Sequence, residues 1–364
     1  MSDEPIPEPD RLEGAPHPRE TARLFGQQAA EAQFLDALRA GRLPHGWLIS
    51  GPRGIGKATL AWRIARHLIA GGAGDSLEMA PDAPAFRQAA ALAAPRLFLC
   101  RRPWDDKARR LKTAITVDEV RALKGFFQMS AAEGGWRVAI VDAADELNDA
   151  AANALLKILE EPPPRSVLLL VCHAPARLLP TLRSRCRMLR CEPLGPADLA
   201  AALAATGAAT DAAGALAILA HGSVGAALRL SEGDGVALYA GLLALLDQAP
   251  GMDRPRLIGL AESCAGRGAE PRYDLLLDLL GLALSRIALA GAARPPEPVS
   301  AAEARLWDRL GRDPAQARLW ASRVAELGAR TAHARAVHLD PAQVILDTCL
   351  TIDAAAAEAL ALPA

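Results

Sequence analysis

The 364-residue chain has no C-x-x-C pair, only five lysines, no run of 18 uncharged apolar residues and almost no net charge. Each shortage excludes something. Six scattered cysteines without paired spacing argue against a zinc ribbon or dithiol motif and fit reduced thiols. Even the apolar stretch 275–292 is broken by Asp278 and Arg286, so no membrane span is expected. A formal charge of −1 leaves no global field to draw the chain to nucleic acid or membrane. No charged-then-apolar leader opens it, so a soluble, cytoplasmic protein is expected. Of 41 basic residues, five are Lys and 36 Arg. With the abundant alanine, that imbalance reads as a base-composition bias in the coding DNA. What remains is 51% hydrophobic and 23% charged, a well-buried globular composition long enough for two or three domains.

One stretch organises the rest. Residues 51–59 read GPRGIGKAT, after the apolar run Trp47-Leu48-Ile49 and before a helical pattern of Leu60, Ile64, Ala65 and Leu68. Strand, glycine-rich turn and helix are the setting of a phosphate loop, G-x-x-x-x-G-K-[ST]. Gly51, Pro52, Arg53, Gly54, Ile55 and Gly56 supply the turn, and Lys57 the cation for the outer phosphates. Glycines let successive N–H groups turn round an anion, and the helix N-terminus adds partial positive charge. The last position departs. Ala58 has no hydroxyl for Mg²⁺, and Thr59 stands one residue too far along.

Along the chain, residues 1–20 are Pro- and Glu-rich and read as a disordered tail. A helix is predicted over 27–40, and a loose surface insertion over 71–95. Strands are predicted at 96–101, 136–141 and 167–172. They alternate with helices at 116–129, opened by the capping box Thr116/Glu119, and at 148–161, stopped by three prolines. Such alternation argues an α/β fold with a parallel sheet. After Arg190 the pattern is helical: 196–205, 211–220, 223–230, then 236–362 with a Pro-rich link at 294–299.

Asp142 ends a buried strand, where phosphate-loop ATPases hold Mg²⁺. The next residue, Ala143, offers no carboxylate to orient water, and Glu146 lies about 6 Å further along a helix. Asp145 and Glu146 read as charges complementing a helix N-terminus. The basic run Arg101, Arg102, Lys107, Arg109, Arg110 and Lys112 reads as a solvated loop.

Four segments together, GPRGIGKA, VDAADELNDAAANALLKILEEPP, LLPTLRSRC and GSVGAAL, resemble bacterial clamp-loader subunits of the AAA+ class, over about 24–230 and more weakly beyond. With residues 1–22 set aside as the expected tail, the resemblance implies a nucleotide-binding α/β domain (23–191), a small helical lid (192–233) and an all-helical collar (234–364). It implies a ring with gamma/tau and delta subunits that places a sliding clamp on primer-template DNA. Lys57 matches the phosphate-loop lysine, Asp142 the metal-binding acid, and Cys172 a polar γ-phosphate sensor. Arg185 matches the arginine given in trans to a neighbour's ATP, and Gly225 falls where active relatives carry a sensing arginine. Many relatives bear four zinc-binding cysteines before the second strand. Here only Cys100 lies nearby, so neither zinc nor another bound metal is expected.

Ala58, Ala143 and Gly225 favour a subunit with weak or absent ATPase that supplies Arg185. The alternative is an active motor of the gamma/tau type. A small-molecule kinase is disfavoured, because the long helical C-terminus would have no role in one. For the phosphate loop itself, weak metal-poor ATP binding and an empty loop kept for packing stand as equal alternatives.

Overall fold

The computed structural model describes residues 6–12, 15–128, 134–208, 212–292 and 295–362. Residues 1–5 of the expected tail, and the expected boundaries at Met129, Asp211 and Arg294, lie outside them. The chain divides into two compact units, residues 1–209 with 221–226, and 210–220 with 227–364.

In the first unit the order is α1 (Gln28–Arg39), β1 (Gly46–Ser50), α2 (Lys57–Ile69), α3 (Pro84–Ala90) and β2 (Leu97–Arg101). A short hairpin follows, β3 (Trp104–Asp105) with β4 (Arg110–Leu111). Then come α4 (Val117–Gln128), β5 (Arg137–Asp142), α5 (Asp149–Glu160), β6 (Ser166–Cys172), α6 (Pro180–Ser184), β7 (Arg187–Arg190) and α7 (Pro196–Ala205). Five strands form one parallel sheet in the order β2-β5-β6-β1-β7. The central strands β1 and β6 are buried at every residue, as strands covered on both faces must be. Leu48, Ile115, Leu123, Val141, Leu155 and Leu170 belong to one apolar core.

Local chemistry sets the ends. Thr116 donates its N–H to the Glu119 carboxylate at 2.8 Å, the reciprocal half of the expected capping box. Asn148 caps α5 by accepting the Ala151 N–H at 2.9 Å. Asp145 and Glu146 are not in that helix: they lie in a separate 3-10 turn before Asn148. The expected acids therefore precede α5 and are not part of its first turn. The Asp145 carboxylate instead accepts the His173 N–H at 2.9 Å and fixes the end of β6.

The N-terminal expectation needs correction. Residues 6–12 and 15–22 are packed onto the first unit. His17 is completely buried, Arg19 pairs with Glu8 at 2.6 Å, and Arg66 of α2 donates to the carbonyls of Arg19 (3.1 Å) and Thr21 (2.9 Å). The composition is that of a tail, but its charges meet partners far along the chain. The basic run is likewise only partly solvated. Arg101 binds Glu8 and Asp10, and Arg102 pairs with Glu146 at 2.8 Å.

The second unit is helical: α8 (Ala213–Leu219), most of α9 (Val224–Glu232), α10 (Gly235–Leu246), α11 (Arg254–Glu262), α12 (Glu270–Ala290), α13 (Ala301–Leu310), α14 (Pro314–Ala336) and α15 (Pro341–Ala361). Ser300, Asp313 and Asp340 cap the last three. Glu303 and Arg286 are buried against each other, and the Trp320 indole donates to the Leu310 carbonyl at 2.7 Å. Among the described residues no helix is long and apolar enough to cross a membrane.

Candidate functional site: a self-bonded phosphate loop

The loop between β1 and α2 sits at the carboxyl ends of the parallel strands, where ligands of open α/β sheets bind. Gly54 and Gly56 adopt φ of +74° and +100°, a region that disfavours side chains. At Gly54 a Cβ would also lie 2.4 Å from the Ser223 Oγ. Pro52, Arg53 and Gly54 are exposed, Gly51, Gly56, Ala58 and Thr59 half-buried, and Ile55 and Lys57 buried.

Four successive carbonyls of the loop are held by donors. Lys57 Nζ donates to Pro52 O. Ser223 Oγ donates to Arg53 O at 2.9 Å, and the Gly225 N–H to Gly54 O at 3.1 Å. Gln27 Nε2 donates to Ile55 O at 3.1 Å and to Glu192 O at 2.8 Å. Because a trans peptide carries its N–H opposite its C=O, these bonds turn the N–H groups of Gly54, Ile55 and Gly56 the other way. An anion cradle at this loop would use those N–H groups. Burial pulls the Lys57 ammonium down to about 8, against the opposing pull of the neighbouring acids.

Asp142 ends β5 and is buried. Burial pushes its carboxyl up to about 7, and the negative charges of Asp10, Glu146 and Asp145 add to that against Lys57. Ala143 beside it is buried and has no group for a proton. Glu146 pairs with Arg53 at 3.3 Å and with Arg102 at 2.8 Å, so its carboxylate is already engaged. Cys172 at the end of β6 is fully buried. Its thiol is pushed up to about 12, by burial and then by the Asp145 carboxylate. Next to it, His173 is drawn down to about 4 by burial and then by the Lys57 charge, so its ring is neutral at pH 7.

Arg185 lies elsewhere, as the C-cap of α6. Its side chain is 38% exposed, paired with Glu160 at 2.8 Å and donating to Thr181 O at 3.1 Å. The structure thus brings together Gly51–Thr59 and Asp142, and puts Arg185 on the surface away from them. Gln27, His173 and Ser223 were missed by sequence reasoning. Only the GSVGAAL segment gave a signal for any of them, at Ser223. Among the described residues no group of three or more His, Cys, Asp or Glu side chains is placed to hold a metal ion.

A parallel sheet in this strand order, a glycine-rich loop after β1 and an acid ending β5 define an α/β domain of the phosphate-loop type, followed by a helical region. Residues 26–195 match the family described as DNA polymerase III, delta subunit. The chain is similar to DNA polymerase III subunit delta' of Pseudomonas aeruginosa, 39% identical over 153 residues, 40% of this chain and 43% of that protein. It is 44% identical to the Escherichia coli delta' over 126 residues, 34% of this chain and 37% of that one. It is 32% identical to the gamma/tau subunit of Mycobacterium tuberculosis over 196 residues, 51% of this chain and 31% of that one. Over residues 26–195 the chain is similar to the delta-prime subunits of DNA polymerase III. The matched stretches span less than half the length of each of these relatives.

Proposed function

We propose that this protein is a delta-prime-like subunit of a DNA polymerase III clamp loader, with weak or absent ATPase of its own. In this reading it joins gamma/tau and delta subunits, and the assembled ring places a sliding clamp on primer-template DNA. The α/β domain is 23–191, a lid 192–233, and a helical collar 234–364 carries the ring contacts. ATP, if bound at Gly51–Thr59, is held by the cradle and Lys57. Ala58 supplies no Mg²⁺ ligand and Ala143 no base, so splitting is slow.

The observation that carries the reading is Arg185, a guanidinium at the surface whose side-chain partner is one exposed carboxylate, Glu160. Such a pair is worth roughly 0–1 kcal/mol and is easily exchanged for a phosphate. Presented to a neighbour's ATP, Arg185 stabilises the charge on the transferring phosphoryl group, an effect on the order of 10³–10⁵ in rate in other systems. In a ring reconstituted with gamma/tau and delta, Arg185→Ala should assemble normally and silence the neighbouring site, lowering clamp-stimulated ATP turnover by that site's share. Unchanged turnover removes the role.

The second reading, an active gamma/tau-type motor, is favoured by the retention of Lys57 and Asp142 at their expected places. A steady ATPase rate from the isolated chain would establish it.

A further inference from the structure

The described parts of the segment before α1 lie beside this site. Leu12 Cδ2 lies 3.3 Å from where a Cβ on Gly225 would stand, and that position is 3.1 Å from Gly54 Cα at the loop apex. Asp10 binds Arg101, the last residue of β2, which is in register with Asp142 on β5. Its negative charge reaches Asp142 and helps hold that carboxyl up. From there the segment follows α2, with His17 edge-on to Trp62 at 6.4 Å and Arg66 bonding the Arg19 carbonyl.

Two carboxylates hold it there. Glu8 bridges Arg19 at 2.6 Å and Arg101 at 3.1 Å. The Asp10 side chain is completely buried and faces His17 Nε2 at 3.4 Å. Since His17 Nδ1 accepts the Arg19 N–H at 3.1 Å, the ring proton lies on Nε2, facing Asp10. Both acids are held below their usual range. Burial opposes this and is outweighed, at Glu8 by Arg19 and Arg101, at Asp10 by His17 and Arg101. A buried carboxylate in this setting satisfies cations that would otherwise face an incoming anion.

Resting on the reading that the loop keeps an anion cradle, we propose that residues 6–12 and 15–20 form an intramolecular latch. Glu8 and Asp10 fasten it across the phosphate end of the site, and a nucleoside triphosphate gains the loop only when the latch is displaced. The phosphates compete with these two carboxylates for the same side of the site. Displacement frees Arg101 and removes both Leu12 from beside Gly225 and the Asp10 charge from near Asp142.

The test uses the full chain with Glu8→Gln/Asp10→Asn, and a second variant lacking residues 1–12. Hydrogen exchange across residues 15–20 should rise at least tenfold in the double variant, and the dissociation constant for ATP, measured by calorimetry with and without Mg²⁺, should fall at least tenfold in both variants. Faster exchange with unchanged or weaker ATP binding overturns the latch, as does unchanged exchange. The deletion serves as the check if the double variant melts early: unchanged or weaker ATP binding by a deletion variant with a normal melting transition also overturns it. Turnover in the reconstituted ring with Arg185→Ala is a separate readout, so failure of the latch leaves the trans role of Arg185 standing, and the reverse.

Discussion

Replacing Glu303 with glutamine should destabilise the helical unit far more than any surface substitution in it. Glu303 is completely buried and accepts four hydrogen bonds. Arg286 Nε (2.8 Å) and the Tyr239 hydroxyl reach Oε1, while Arg286 Nη2 (3.0 Å) and the Val299 N–H (2.7 Å) reach Oε2. Arg286 is itself 2% exposed and lies 5.3 Å over the Trp307 ring, so it has no route to water. Glutamine keeps the shape, but turns an amide NH₂ toward donors and leaves a buried guanidinium unneutralised. Breaking one partner of a buried ion pair costs about 3–5 kcal/mol. Retaining one acceptor oxygen puts the substitution near ~3 kcal/mol. For a unit of this size that is a fall in melting temperature of roughly 6–12 °C.

Scanning calorimetry of the wild type, Glu303→Gln and the exposed control Glu326→Gln checks this. Two compact units make two transitions possible, and only one should move. The pH dependence supplies a second arm. Burial works against ionisation of Glu303 and is outweighed by Arg286 and Tyr239, so its folded pKa is below the usual value. Its contribution is then complete above the unfolded value of about 4.3 and is lost as pH falls through the folded one. Wild type and Glu303→Gln should differ fully at pH 7 and converge in acid. A shift below about 2 °C at pH 7, or a difference that persists undiminished in acid, would refute the argument.

Other consequences can be read with similar measurements. Asp142 is raised in the folded state, so its effect on stability has the opposite sign: favourable at low pH and lost as pH rises through about 7. Asp142→Asn should therefore be more stable than wild type at pH 8, by at most a few kcal/mol, with the difference shrinking as pH falls and gone only below about pH 4, where the unfolded carboxyl is protonated too. If Mg²⁺ strengthens ATP binding at all, the gain should appear only above about pH 7, where Asp142 is ionised; titrations at pH 6 and 8 decide that. Asn148→Ala removes the cap of α5 and should cost about 1 kcal/mol by urea denaturation. Ser223→Ala leaves the Arg53 carbonyl without its donor and should loosen the loop, seen as faster amide exchange in residues 54–57.

What was legible in the sequence follows the range of the forces involved. The strands β1, β2, β5 and β6 and helices α4 and α5 carry their signals locally, as apolar runs, a capping box and a triple proline. β7 was not seen, because Arg187-Met188-Leu189-Arg190 is four residues with exposed charges at both ends, and only pairing with β1 makes it a strand. The seven-residue α3 and the two-residue strands of the hairpin are too short to show a period. Residues 6–12 and 15–20 have the composition of an unfolded tail. Their order comes from Arg66 and Arg101, 47 and 91 residues away across bonds that no local window contains.

The site divides in the same way. Lys57 and Asp142 could be placed from motif and strand ends, whereas the groups that decide how the loop behaves come from elsewhere: Gln27 from before α1, Gly225 from 171 residues beyond Gly54. A Cβ at position 225 would stand 3.1 Å from Gly54 Cα, a tight contact that needs a few tenths of an ångström of adjustment there. The Gly225–Gly54 and Ser223–Arg53 bonds join the same two segments. The loop is therefore held to the segment that follows Gly222 by bonds that do not depend on a ligand. A pocket stabilised in this way has less to gain from ATP than one whose loop and lid meet only through the phosphates.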